Sequence, residues 1–337
     1  MFNYKKHPFI IAEVGINHDG SLKKAKKLIT LAQKSGASAV KFQIYKTEKI
    51  MSKNYSLKKI KNYSPTKQYK LLKKNELSLS QFNELKKFCN KKKIEFLATP
   101  FDNESADFLK KINVRLIKVA SGDFNNFLFI DFLIKKRKHI IFSTGRMNLS
   151  QINKTIKFLK KKRFSNYSLL HCVSSYPTIP NEINLKTINF LKKKFKCNIG
   201  FSDHSKGILA PVIAFTLGAT IIEKHITLNR NGNGPDHQSS LEPDEFRQMV
   251  DAITFTKVAL GKAIKKTSKS ELKTKDKSQR SLYLKRDMKK GQRIKFQDLI
   301  SLRPSVGIKS YDYEKVINKK VVKNIKKNQV LNWRLLN

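Results

Sequence analysis

Acidic residues are scarce in this chain of 337 residues: Asp and Glu number 25 against 71 Lys and Arg, a formal net charge of +46. An acidic, solvating tail protein is excluded, and anionic partners have to be considered. Arginine is scarce as well, with eleven of the 71 cations Arg and 60 Lys. A protein built to read nucleic acid is expected to carry more Arg, whose planar fork matches phosphate and guanine edges. RNA-binding aromatic motifs and zinc-finger spacings are also missing, so no nucleic-acid partner is expected. Lys, Ile and Asn are abundant together and share A/T-rich codons, which fits Lys spread over solvated helix faces.

Cysteine is limited to Cys89, Cys172 and Cys197, and none forms a CxxC pair. Their odd number and apolar neighbours predict reduced, structural thiols in a cytoplasmic protein. No long hydrophobic run exists. The longest mostly apolar stretch, Ile208–Thr220, is 13 residues, is broken by Pro211 and Gly218, and is too short to span a bilayer. Near the start, Phe9–Ala12 gives four apolar residues before Glu13, too few for a signal-peptide core. No membrane partner is expected. A Gly-rich turn after an early strand is absent, which disfavours a doubly wound dinucleotide-binding sheet.

What the chain does hold is 39% apolar residues, arranged in eight short β-branched runs. They are Phe9–Ile16, Ala39–Tyr45, Ile94–Phe101, Leu116–Asp123, His139–Arg146, Tyr167–Tyr176, Asn198–His204 and Ala219–Thr227. Lys-rich amphipathic helical patterns separate them. Leu22, Ala25, Leu28, Ile29 and Ala32 recur at helical spacing and stop at Gly36, and Ile152, Ile156 and Leu159 repeat the pattern. Eight strand–helix alternations predict a (β/α)₈ TIM barrel over residues 1–261. One connection, Lys46 to about Asn75, is long and polar and reads as a loop or lid. Residues 262–279 are almost wholly polar and read as a linker. A small β-rich module, 280–337, follows.

In such a barrel the active site forms at the C-terminal ends of the strands. Every predicted strand ends in polar groups: Glu13, Asn17 and His18; Lys41 and Gln43; Thr99; Lys118, Ser121 and Asp123; Ser143 and Thr144; His171, Ser174 and Tyr176; Ser202, Asp203 and His204; Glu223 and His225, with Asp236 beyond. Lysines among hydroxyls suit a phosphate or carboxylate. His204 and His225 end neighbouring strands and can converge on one metal. Glu13, Glu223, Asp123 and Asp236 are candidates for acid–base work or for binding hydroxyls, with ion pairing to the lysines the alternative for Glu223.

The ordered motifs Glu13–Gly20, Val40–Gln43, Ala98–Phe101, Lys118–Asp123, Ser143–Gly145, Leu170–Pro177, Gly200–His204 and Glu223–His225 resemble the sialic acid synthase family. The tail, with Leu302-Arg303-Pro304, resembles that family's C-terminal antifreeze-like (SAF) domain. The resemblance implies condensation of phosphoenolpyruvate with an N-acetylated mannosamine-type sugar, giving N-acetylneuraminate and phosphate, with N,N'-diacetyllegionaminate the alternative product. It implies a divalent metal, Mn(II) or Mg(II), on His204 and His225. It implies phosphoenolpyruvate held by Lys41, Thr99, Lys118, Ser121, Ser143, Ser174 and Ser202. Gln43, Asp123, Tyr176 and Asp236 would contact the sugar, and Glu13 would manage water and protons. Arg303 would reach the partner's site in a domain-swapped homodimer. Asp123 stands where many members have Glu, Ser174 where they have Asn, and Arg146 where Met is common. Residues 234–243 resemble the N-acetylneuraminate and legionaminate branches more than the pseudaminate branch. A Schiff-base aldolase using Lys41, Lys118 or Lys224 is the rival chemistry.

Overall fold

The computed structural model describes residues 8–51 and 64–337. The chain divides into two compact units, Met1–Gly261 and Lys262–Asn337. In the first, eight parallel strands close into a barrel in sequence order: β1 (Phe9–Gly15), β2 (Ala39–Ile44), β3 (Glu95–Pro100), β4 (Leu116–Val119), β5 (His139–Ser143), β6 (Tyr167–Cys172), β7 (Asn198–Asp203) and β8 (Ile221–His225). β1 and β8 seal it, with Phe9 opposite Ile221 and Glu13 opposite His225. The (β/α)₈ barrel predicted from the alternation is therefore the fold.

The strand pattern also explains where the polar residues go. Side chains alternate between the barrel interior and the surrounding helices. Ile11, Ala39, Leu97, Leu116, Ile141, Leu170 and Ile221 form one buried interior layer. Two residues further along the same strands stand Glu13, Lys41, Thr99, Lys118, Ser143, Cys172 and Glu223, so the next interior layer is polar. The intervening residues, such as Ala12, Val40, Phe42 and Ile117, pack against the helices in a separate apolar cluster. Helix Leu22–Lys34 shows how that shell is built. Ser21 caps its first turn by accepting from the Lys24 amide, Ala25, Leu28, Ile29 and Ala32 are buried, and Gly36 ends it at φ +83°.

The long connection after β2 differs from its expectation. Residues 65–75 form a helix, Pro65–Asn75, because Ser64 accepts from the Lys67 amide and Pro65 opens the first turn with φ already set. Residues 52–63 of that connection lie outside the described residues.

In the second unit, β9 (Ser281–Leu284) pairs antiparallel with β10 (Leu299–Leu302), and single bridges tie Met288 to Ile325 and Val321 to Leu336. Its own core gathers Leu282, Leu284, Met288, Ile294, Val316 and Leu331. The segment expected as a linker carries two one-turn helices, Lys269–Leu272 and Lys275–Ser278. The Asp276 carbonyl accepts from the Ser305 amide at 2.7 Å, which ties this segment to the module behind it.

Candidate active site

The polar interior layer converges on a buried ion cluster. Lys41 Nζ lies 2.6 Å from Glu13 Oε2 and 3.8 Å from Glu223 Oε2, and donates to Thr99 Oγ1 at 3.3 Å. Lys118 Nζ donates to Glu223 Oε1 at 3.0 Å, and Ser202 Oγ donates to the same oxygen at 2.8 Å. All four charged residues are at most 4% exposed. Burial alone would neutralise them. For Glu223, burial pushes its pKa up, but Lys118 and Lys41 outweigh it and hold the carboxylate down at about 2. For Glu13, burial dominates over the attraction of Lys41, the Glu223 charge adds to it, and the carboxyl is lifted to about 7. Lys41 is stabilised as a cation despite burial, because it faces two carboxylates. Lys118 is pushed below the usual lysine range by burial, which its ion pair with Glu223 only partly offsets. Glu13 is thus a group that exchanges its proton near neutrality, and Glu223 a fixed anion that bridges both lysines.

One pleat nearer the mouth lies a second layer. His204 Nδ1 donates to the Val173 carbonyl at 2.8 Å; burial lowers the ring's pKa, but the Cys172 sulfur and that carbonyl outweigh it and raise it. The ring centroids of His204 and His225 are 5.4 Å apart, and the Tyr176 ring lies 4.1 Å from His204 and 6.0 Å from His225. His225 Nδ1 is buried without a hydrogen-bond partner, 3.9 Å from Asp236 Oδ2. Burial and the neighbouring cations hold His225 neutral, its pKa well below the ordinary imidazole range. Neutral His225, with its unsatisfied buried nitrogen, and His204, once its Nε2 is free of a proton, are a donor pair that fits a divalent ion. Among the described residues, no group of three or more His, Cys, Asp or Glu is placed to hold a metal. A bound ion would therefore need substrate or water to complete its shell.

The backbone between the layers is shaped by glycine. Gly15 sits at φ +53°, and a Cβ there would stand 3.1 Å from Glu13 Oε1, 3.3 Å from Asp236 Oδ2 and 3.5 Å from Gln43 Nε2. Three candidate residues, from β1, from β2 and from the connection beyond β8, therefore meet over one glycine. A Cβ on Gly145 would lie 2.3 Å from Ser174 Oγ, 2.7 Å from Ser121 Oγ and 3.0 Å from Cys172 Sγ. Gly145→Ala should displace both hydroxyls and lower kcat/KM at least tenfold, with thermal stability falling by only a few degrees; unaltered kinetics would show that these hydroxyls touch no substrate.

The remaining expected residues divide. Ser143 is buried and its Oγ has no partner. Asp123 lies in the turn after β4, where its Oδ1 accepts from Asn126 at 3.1 Å. Arg303 is exposed in the second unit, just past β10. Lys224 faces away from the interior. It is fully buried, pairs with Asp203 at 2.6 Å and donates to the Ser205 carbonyl, so it braces the turn that carries His204. That removes it as a Schiff-base candidate.

Cys172 corrects the reading of the thiols as merely structural. Its sulfur lies 3.7 Å from Ser121 Oγ, 3.8 Å from Ser174 Oγ and 3.9 Å from His204 Nδ1, in the wall of the site. Its position two residues before Ser174 on an interior-facing strand was the available signal. A cavity of about 550 Å³ opens beside this wall, lined by Thr144, Arg146, Ser174, Ser175, Glu182 and Asn184 among others. It sits to one side of the ion cluster, whose own space is filled by paired side chains.

Comparison with known proteins agrees with this geometry. Residues 28–265 match the NeuB family and residues 279–337 the SAF domain. An N,N'-diacetyllegionaminic acid synthase of Campylobacter jejuni is 40% identical over 97% of this chain and 99% of its own length. A second protein of that name, from Legionella pneumophila, is 37% identical over 96% of this chain and 93% of its own. The solved N-acetylneuraminic acid synthetase of Leptospira borgpetersenii superposes with a TM-score of 0.71 at 38% identity, covering 79% of this chain and 89% of that one. With the closed barrel, its polar mouth and the small module that follows it in sequence, the chain belongs to the NeuB family of nonulosonic acid synthases and ends in a SAF domain.

Proposed function

We propose that the chain condenses phosphoenolpyruvate with an acylated mannosamine-type sugar to give a nonulosonic acid and inorganic phosphate. The observation that carries this reading is the pair of buried lysines, Lys41 and Lys118, set among Thr99, Ser202 and Glu223 beneath two converging imidazoles. Phosphoenolpyruvate is a small multiply charged anion, and paired cations with hydroxyls offset that charge. Ser121, Ser143 and Ser174 extend the hydroxyl set. His204 and His225 would hold the divalent ion, Mn(II) or Mg(II), with Asp236 close by. When bound there, the ion supplies Lewis-acid polarisation of the sugar aldehyde.

The enol carbon of phosphoenolpyruvate attacks the aldehyde carbon and forms the new C–C bond. The phosphate-bearing carbon becomes cationic, water adds to it, and the C–O bond to phosphate breaks. Glu13 takes the proton from that water, a task its pKa of about 7 suits. Gln43, Asp123, Tyr176 and Asp236 orient the sugar hydroxyls. Of the two sugar classes open from the sequence, the relatives at 40% and 37% identity favour the diacetamido sugar that leads to N,N'-diacetyllegionaminic acid.

The test is phosphate release from phosphoenolpyruvate with a panel of sugars, N-acetylmannosamine and 2,4-diacetamido-trideoxymannose first. Release with neither sugar, nor with any other on the panel, would sink the reading. Borohydride with pyruvate should trap no covalent adduct, in contrast to a Schiff-base aldolase acting through Lys41 or Lys118.

The small module extends this reading. Residues 262–279 are exposed throughout, and the stretch 262–268 ahead of the two one-turn helices would let the module reach a second copy of the barrel. Arg303 would then donate to the sugar's acetamido oxygen in the partner's site of a symmetric dimer. Mixing inactive Arg303→Ala with inactive His204→Ala protein should restore part of the activity through heterodimers. Failure under conditions where subunits demonstrably exchange would remove the trans arrangement.

A further inference from the structure

The lysine excess has a location. Read from composition, it suits any solvated helix face. The barrel sorts it, because helices that follow parallel strands all end at the base, opposite the active-site mouth. The final helical turns and base connections leading into β3, β4, β5, β6 and β7 contain Lys91–Lys93, Lys110–Lys111, Lys135–Lys138, Lys160–Arg163 and Lys192–Lys196. These five segments hold seventeen cations and no carboxylate, and fourteen of those cations are exposed. The connections leaving the same five strands at the mouth, residues 101–102, 120–126, 144–148, 173–186 and 204–208, hold three cations (Arg146, Lys186, Lys206) and three carboxylates (Asp102, Asp123, Glu182). Codon bias acts on both ends alike and does not produce that contrast. The helix dipole favours cations in a last turn, but Lys93, Lys135–Lys138, Lys162, Arg163 and Lys196 lie beyond the helix ends. Nearby carboxylates neutralise little of it: Asp107 pairs with Lys136, and Asp131 with Lys135 and Lys162.

We propose that this basal arc docks on an anionic lipid surface. The chemistry favours a plane of diffuse charge over a nucleic acid. Fifteen of the seventeen cations are Lys, compact hydrated charges that do not read phosphate geometry as Arg does. The base of a barrel is a broad end face, not a groove that tracks a polynucleotide. Each Lys near an anionic leaflet adds a small attraction, and many together hold a peripheral protein reversibly. Docked this way, the barrel leaves its mouth facing solution. No helix among the described residues is long and apolar enough to cross a membrane, so the attachment is electrostatic and reversed by salt.

The experiment is co-sedimentation of the full chain with vesicles of phosphatidylglycerol and phosphatidylcholine, or of phosphatidylcholine alone, at about 0.15 M salt. Binding is expected only to the anionic vesicles, with loss at high salt. A variant with Lys160, Lys161, Arg163, Lys192, Lys193 and Lys194 changed to Gln should bind at least tenfold more weakly, with its melting temperature and turnover unchanged. A control with Lys262, Lys265, Lys266, Lys269, Lys273 and Lys275 changed to Gln removes the same charge from the other unit and should bind within threefold of the parent. If the basal variant is unstable, Lys91→Gln, Lys93→Gln and Lys111→Gln together should give at least a threefold loss. The proposal is overturned if the parent ignores anionic vesicles, if the control loses as much as the basal variant, or if RNA competes the protein off the vesicles at equal phosphate.

Discussion

His204→Ala and His225→Ala will each bring divalent-metal-dependent turnover to background while leaving the fold intact. Both rings end adjacent strands and stand 5.4 Å apart. Neither is needed to fill the apolar core. His225 already carries a buried nitrogen with no partner, so its removal relieves an unsatisfied group. If the two imidazoles hold the ion as proposed, losing either should abolish tight Mn(II) binding, which equilibrium dialysis would measure independently of activity. Melting temperatures within a few degrees of the parent would show that the loss is local. Near-normal turnover of either variant in chelator-treated buffer would show that these imidazoles serve another purpose.

Lys118→Met will cost both binding and stability, and the two costs can be separated. A charged contact in a closed site contributes roughly 1.5–3 kcal/mol or more, so KM for phosphoenolpyruvate should rise, or kcat fall, by one to several orders of magnitude. The same change strips Glu223 of its 3.0 Å partner and leaves a buried carboxylate paired only with Ser202 and a more distant Lys41. Breaking a buried pair on one side costs about 3–5 kcal/mol. The double variant Lys118→Met with Glu223→Met should recover most of the stability and none of the activity. Unchanged phosphoenolpyruvate kinetics in Lys118→Met, and likewise in Lys41→Met, would overturn the anion-binding role.

Much of the barrel was legible because its strands are buried on both faces and its helices are amphipathic. Runs such as His139–Ser143 are buried throughout, and helices such as Leu22–Lys34 carry one apolar stripe. The polar strand ends were legible for the same reason, since a Lys or Glu inside an apolar run has to be explained. Partner choice was not. Period-2 spacing puts Lys41 and Glu223 in the interior but does not say that Glu223 bridges two lysines while Glu13 meets one. Cys172 was taken for a structural thiol because Leu169 and Leu170 precede it in an apolar run, and the run does not name the hydroxyls and the imidazole that its sulfur meets in space. The helix Pro65–Asn75 was missed because its composition is polar and its signals, Ser64 and Pro65, are the residues that also mark loops. The basal charge was visible as a number but not as a place, since only closure of the barrel brings five separate lysine runs to one end.

The apolar layer beneath the ion cluster has a consequence for traffic. Ile11, Ala39, Leu97, Leu116, Ile141, Leu170 and Ile221 are all fully buried and together plug the barrel's axis. Among the described residues, every member of this layer is apolar. On the proposed chemistry, the proton leaving Glu13, the water consumed and the phosphate released would share the mouth with the incoming sugar. Whatever covers that doorway sets the order of events as well as their rate: reactants enter before it shuts, and nothing escapes through the floor while it is closed.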